Sequence, residues 1–137
     1  MAGNGAAGGD AGGPLRGVRV LDLTAVVLGP YATQTLGDWG AEVIKVEPPA
    51  GDLVRASGVW KRRGMASVFL GVNRNKRSLC LDLKTPGGAE VLRRLIPRVD
   101  ALVTNVRPAG MARLGFGWEQ CAALNPRLVY AAATGFG

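Results

Sequence analysis

The sequence contains no histidine and only two cysteines, Cys80 and Cys121, which lie too far apart for a CxxC spacing. Zinc-finger ligation, a Ser-His-Asp triad and a Cys-His nucleophile are excluded at once. Aromatic residues are 6% of the chain. No apolar run approaches the ~20 residues of a membrane-spanning helix, and the start lacks the charged and apolar regions of a signal peptide, so the cytoplasm is the expected location. Acids are also scarce, with ten Asp and Glu against seventeen Lys and Arg. What remains is 137 residues, 47% of them apolar, enough for one globular domain with a sizeable core.

The net charge of +7 is unevenly distributed: Arg55 to Lys84 holds eight basic residues and one acid, Asp82, while the rest of the chain carries nine of each sign. A local polyanion partner and a solvated basic face both fit this pattern. Nucleic-acid surfaces interleave aromatics with their cations, and only Trp60 and Phe69 fall in the stretch, so nucleic acid is disfavoured.

Residues 1–14 form an expected disordered tail, since the Gly/Ala composition of 2–13 cannot offset its ordering entropy by burial. Gly3 to Gly8 match GxGxxG by letter, but no strand precedes them, so the match is accidental. The ordered domain is expected over 15–137.

Strands are expected at Val18–Leu23, Glu42–Glu47, Ser78–Leu83, Ala101–Thr104 and Leu128–Ala133, with a possible short strand at Val68–Leu70. Helices are expected at Tyr31–Trp39, from Pro86 until Pro97 ends it, for one turn at Met111–Leu114, and at Trp118–Leu124. Asn73–Arg77 reads as a turn. In the Pro86 helix, Thr85 is a natural cap, and Ala89, Leu92, Leu95, Ile96 and Val99 share one face. Strands alternating with helices predict an α/β fold with a Rossmann-like, mostly parallel sheet.

Ligands of such sheets bind beyond the carboxyl ends of the strands. The corresponding loops are 24–30, 48 onward, 83–86 and 105–108. Lys84 stands beside the amide-rich start of the Pro86 helix, and Arg107 and Arg113 flank the next loop, a placement that favours phosphate. Asp22, Glu42, Asp82 and Asp100 fall near strand ends, where ion pairing and turn bonding are their expected roles. No residue is assigned as catalytic and none as a metal ligand.

Leu21-Asp22-Leu23-Thr24 with Gly29-Pro30-Tyr31-Ala32-Thr33, Gly40 to Glu47, Asn73 to Ser78, Leu81 to Pro86 and Asn125 to Tyr130 occur in an order that resembles the N-terminal part of the class III coenzyme A transferases. This CaiB/BaiF family includes formyl-CoA transferases and the related α-methylacyl-CoA racemases. The resemblance runs from Leu15 to Gly137. It implies CoA or acyl-CoA as ligand, and a subunit that interlocks with its twin as a homodimer. Position by position, the family's CoA contacts fall on Val27, Leu28, Leu81, Asp82, Leu83, Lys84, Asn105, Val106, Arg107 and Arg113. Two departures stand out: Pro48 replaces a frequent basic residue, and Val106 replaces a common aromatic. The family's aspartate nucleophile, and the racemases' His and Asp, are expected beyond Gly137. The implied function is therefore CoA binding by the N-terminal portion of a CoA-transferase, inactive in transfer by itself. A racemase-like portion and a non-catalytic binding module for CoA or nucleic acid are the alternatives.

Overall fold

A computed structural model describes residues 12–135; the expected tail falls mostly outside them, as does the GxGxxG match. Five strands and five helices follow in the order β1 (Arg19–Leu23), α1 (Leu28–Asp38), β2 (Glu42–Glu47), α2 (Ser67–Val72), β3 (Lys76–Cys80), α3 (Pro86–Leu95), β4 (Ala101–Thr104), α4 (Pro108–Arg113), α5 (Trp118–Leu124) and β5 (Val129–Ala132). Single 3-10 turns occupy Leu53–Ala56 and Ile96–Arg98. All four strand pairings are parallel, and the spatial order is β3-β2-β1-β4-β5. The chain winds outward from β1 through β2 to β3, then crosses back to set β4 on the other side of β1. That reversal makes the gap between the β1 and β4 loops the topological switch point.

The period-2 alternation of the strands separates two unlike faces. Leu21 and Leu23 of β1, Val46 of β2 and Leu102 of β4 join Leu92, Ile96, Val99, Met111, Phe116, Cys121 and Leu128 in one buried apolar cluster under α3, α4 and α5. Burial holds the Cys121 thiol protonated, with its pKa pushed up to about 11. On the opposite face, Val20, Ala41 and Val43 form a much smaller apolar cluster. Beside it, Asp22, Lys45 and Glu47 occupy inward positions of β1 and β2 and are buried.

The expected cap of α3 is present: Thr85 Oγ1 accepts from the Gly88 amide at 3.1 Å, with Pro86 in the first turn. Of its expected apolar face, Leu92, Ile96 and Val99 are fully within the core, while Ala89 and Leu95 pack against it partly buried. A Cβ on Gly88 would lie 2.1 Å from the Asp82 carbonyl oxygen, so glycine lets the helix rest on the preceding segment.

Four expectations need correction. Val68–Leu70 is not a strand but the middle of α2, whose Phe69 points inward under the Arg55 guanidinium, 3.8 Å from the ring centroid. A three-residue apolar run carries no period, so packing decides its conformation. The third strand begins at Lys76, two residues before the expected Ser78, because the Lys76 side chain reaches into the sheet's polar face; it ends at Cys80, although the Leu81 amide still bonds Glu47 O at 2.9 Å. The turn before it is tightest at Asn75, with φ of 60°. Helix α1 begins at Leu28, three residues before the expected Tyr31, and α4 at Pro108 rather than Met111.

Candidate functional site

The carboxyl ends of β1, β2 and β4 and the segment after β3 meet around a cavity of about 160 Å³. Its lining brings together Leu81, Asp82, Leu83, Lys84 and Val106 of the expected contact residues, along with Leu23, Pro48, Met111 and Leu114. The wall is largely apolar, and Lys84 is its cation. Asp82 Oδ1 accepts from the Lys84 amide at 3.0 Å, which fixes the turn while leaving the Lys84 ammonium outward. Pro48, a neutral residue, occupies the end of β2, so the rim carries no cation there.

The other expected residues do not line it. Asn105 binds the β1 loop through both ends of its amide, accepting from Ala25 N at 3.0 Å and donating to Ala25 O at 2.8 Å. These bonds close the switch point. Val27 and Leu28 follow on the same loop with side chains 45% and 74% exposed, where an apolar surface is available to a ligand rather than spent in the core. Arg107 caps α4 and Arg113 lies in its last turn.

Charge pairing distinguishes two sets of cations. Arg55, Arg74, Lys76 and Arg77 of the basic stretch are taken up by Glu47, Asp38, Asp22 and Glu42. Lys84, Arg107 and Arg113 have side chains with no ion pair or hydrogen bond among the described residues. A cation left unpaired at a strand-end loop keeps its whole electrostatic reach for an incoming anion. Lys61, Arg62 and Arg63 are exposed as well, in the loop between the 3-10 turn and α2.

A set of residues outside the expected contact positions shapes the β1 loop, Asp22 among them in the ion-pairing and turn-bonding role expected of it. Asp22, fully buried, accepts from Thr24 N at 2.9 Å, from the Thr24 and Thr33 hydroxyls, and from Lys76 Nζ at 2.8 Å. Lys76 also donates to Pro30 O and to Asn73 Oδ1. Burial pushes the Lys76 ammonium below the ordinary lysine value, with Asp22 opposing that shift and Lys45 adding to it. Lys45 Nζ donates to Thr24 O at 2.8 Å and to Asp52 Oδ2 at 3.1 Å, and Asp52 Oδ1 in turn accepts from Val26 N at 3.1 Å. The backbone from Thr24 to Val26 is thus held at every turn by a side chain from elsewhere. Within it, Val26 has φ of 73°, a conformation that a β-branched residue rarely adopts. The available signal was a charge inside an apolar strand, Asp22 within Val-Leu-Asp-Leu and Lys45 within Val-Ile-Lys-Val.

Glu47 anchors the next loop. Burial would raise its carboxyl, but hydrogen bonds from Arg55 and from the Asp52 amide hold it below the ordinary glutamate value. Cys80 is exposed and forms no disulfide. No helix among the described residues is long and apolar enough to cross a membrane.

Residues 15–137 match CoA-transferase family III. Among curated proteins, the chain is 46% identical over 125 residues to the succinyl-CoA–D-citramalate CoA-transferase of Chloroflexus aurantiacus, covering 90% of this chain and 31% of that protein. It is 44% identical to the succinyl-CoA:glutarate CoA-transferase of Mus musculus, again over 90% of this chain and 29% of the relative. The chain thus spans about a third of the length of the curated relatives it matches. Among solved structures, Rv3272 of Mycobacterium tuberculosis superposes with a TM-score of 0.84 at 42% identity over 92% of this chain and 36% of that one. A CaiB/BaiF family protein of Brucella suis gives 0.81 at 40% identity, covering 87% and 32% of the two chains. Sheet order, strand-end loops and sequence agree, and the chain belongs to CoA-transferase family III.

Proposed function

We propose that this domain binds CoA or an acyl-CoA across the carboxyl edge of its sheet, as the nucleotide-holding part of an enzyme that moves CoA between carboxylic acids. The observation that carries this reading is the coincidence of three unpaired cations, Lys84, Arg107 and Arg113, with an apolar cavity and the exposed Val27 and Leu28 around one switch point. CoA requires that mixture. Its pyrophosphate and 3′-phosphate call for cations free to pair, and its adenine and pantetheine call for apolar surface with few polar contacts. Asp82 acts through its turn bond rather than through the ligand, and Asn105 through Ala25.

Family membership supports a transfer reaction in which a carboxylate attacks the thioester carbonyl, thiolate leaves, and the acyl group rests on that carboxylate as an anhydride. Within this reading the attacking aspartate comes from the two thirds of the relatives that this chain does not span, in a homodimeric assembly. The free Cys80 and Cys121 accord with a reducing cytoplasm. Among 12–135 every carboxylate but Glu119 of α5 is engaged in a pair or a turn, and within this reading the domain's tasks are gripping the nucleotide and aiming the thioester.

Calorimetric titration of the 137-residue chain with CoA and with single-stranded DNA, each at two salt concentrations, tests the reading. CoA binding that weakens with salt is expected, with Lys84→Ala costing about tenfold in affinity through loss of a charge-assisted contact. DNA binding without CoA binding would reverse the conclusion. The chain alone is expected to give no exchange of CoA between two carboxylic acids.

A further inference from the structure

We propose that the buried Lys45–Asp52 pair is a positioning device for ligand binding, holding the β1 loop in a strained shape that presents Val27 and Leu28 to CoA. The inference rests on the CoA-binding reading above and assigns the work of two residues that touch no expected contact position directly.

The geometry is specific. Both side chains are almost wholly removed from solvent, at 2% and 1% exposure. A pair at such depth incurs a desolvation cost that its mutual attraction only partly offsets, and apolar residues of similar volume would serve the core at least as well. Its partners show what it supplies instead. Lys45 donates to Thr24 O and Asp52 accepts from Val26 N, so the two ends of the pair grasp one peptide segment on either side of Ala25. Asp52 also accepts from Val54 N, which caps the 3-10 turn and fixes the carboxylate's own position. Lys45 is rooted in β2, the strand next to β1.

The segment so held is the one the chain would otherwise relax. Val26 at φ 73° is strained relative to extended backbone, because a β-branched side chain crowds the left-handed region. Only a conformation fixed from outside persists there. Val27 then leaves the loop at φ −126° as the residue before α1, and Tyr31 N bonds Val27 O at 2.8 Å to start the helix. Release of Val26 would let the loop return to ordinary backbone and swing the exposed Val27 and Leu28 away from the cavity edge. A ligand would then bind only the fraction of chains with the loop in place, and its apparent affinity would fall by that fraction.

The test replaces both charges together, so that neither is left buried alone, in Lys45→Met with Asp52→Ala. Apparent CoA affinity is expected to fall about tenfold while cooperative unfolding is retained. Adding Val26→Gly, which makes a positive φ inexpensive, is expected to recover most of that loss, to within about threefold of the unaltered chain. A pair that only stabilised the fold would not be rescued at the ligand by a change in the loop. Unchanged CoA affinity in the double variant, or no recovery on adding glycine, overturns the proposal. Amide hydrogen exchange of the unaltered chain supplies an answer even if the variants fail to fold: slow exchange at Val26 before CoA is added is expected, and fast exchange overturns the clasp. CoA binding with a fast-exchanging Val26 removes the clasp alone, whereas a protected Val26 in a chain that binds no CoA removes the binding reading and the positioning role with it.

Discussion

The two faces of the sheet solve the problem of burial by opposite means. Under α3, α4 and α5 the contacts are apolar, eleven buried residues with no charge among them. Under α1 and the 3-10 turn the same strands turn Asp22, Lys45 and Glu47 inward, and Lys76 completes the second Lys–Asp pair. Dispersion and the hydrophobic effect are non-directional, so the first face tolerates small adjustments. Charged hydrogen bonds are directional, and the second face fixes backbone atoms one by one. The division matches the functional reading: the apolar face supplies stability, and the polar face supplies the shape of the β1 loop.

The largest expected effect strikes the polar face. Asp22→Ala leaves the Lys76 ammonium buried with a lost partner and removes the acceptor of the Thr24 hydroxyl, and should destabilise by about 3–5 kcal/mol in urea unfolding. Replacing Asp22 and Lys76 together with apolar residues should cost less than Asp22→Ala alone, a non-additivity that would vanish if the pair were not coupled. On the apolar face, Leu102→Ala should cost about 2–5 kcal/mol and add simply to a change outside that cluster such as Phe69→Ala in α2. Strong coupling between those two would break the contrast. Gly88→Ala probes the site's floor: a Cβ 2.1 Å from Asp82 O must displace the Leu81–Lys84 segment, with an expected cost of about 1–3 kcal/mol and weaker CoA binding.

A pH titration separates the faces by a smaller margin. Glu47 is held below its ordinary value in the folded chain, so it binds a proton less readily than in the unfolded chain. Its contribution is complete above the unfolded glutamate value of 4.5 and is lost as pH falls through the folded value. Glu47→Gln should flatten the acid limb of thermal stability, while Leu102→Ala should lower the curve without changing that slope. The smallest effect belongs to Glu90, whose pairs with Arg93 and Arg94 lie at the surface. Glu90→Gln should leave the unfolding midpoint in urea indistinguishable from that of the unaltered chain.

Much of the apolar face was legible in the sequence, because helix period and strand alternation report burial directly. The face of α3 carrying Leu92, Ile96 and Val99, its Thr85 cap, and the strand Ala101–Thr104 all follow from that pattern. The polar face was legible only as an anomaly. Asp22 and Lys45 interrupt apolar strands, and nothing in the local sequence says that Asp52, seven residues past Lys45, is the partner. The strand-end loops could be placed from topology, yet Val26's positive φ could not, since it is imposed by Asp52 and not by any preference of valine. The basic stretch shows the same limit. Sequence counts its eight cations alike, while the fold consumes Arg55, Arg74, Lys76 and Arg77 in internal pairs and leaves Lys84 at the cavity.

The pair of hydrogen bonds between Asn105 and Ala25 has a consequence in time. Its partners are 80 residues apart in sequence, and a contact of that separation waits for the intervening chain to be placed before its closure is rewarded. The β1 loop is among the first segments of the domain to be synthesised, yet it cannot take its final shape until β4 has docked beside β1. Its history is therefore that of a late event, and a chain interrupted between Leu28 and Asn105 would carry every residue of the loop without the form that makes it useful.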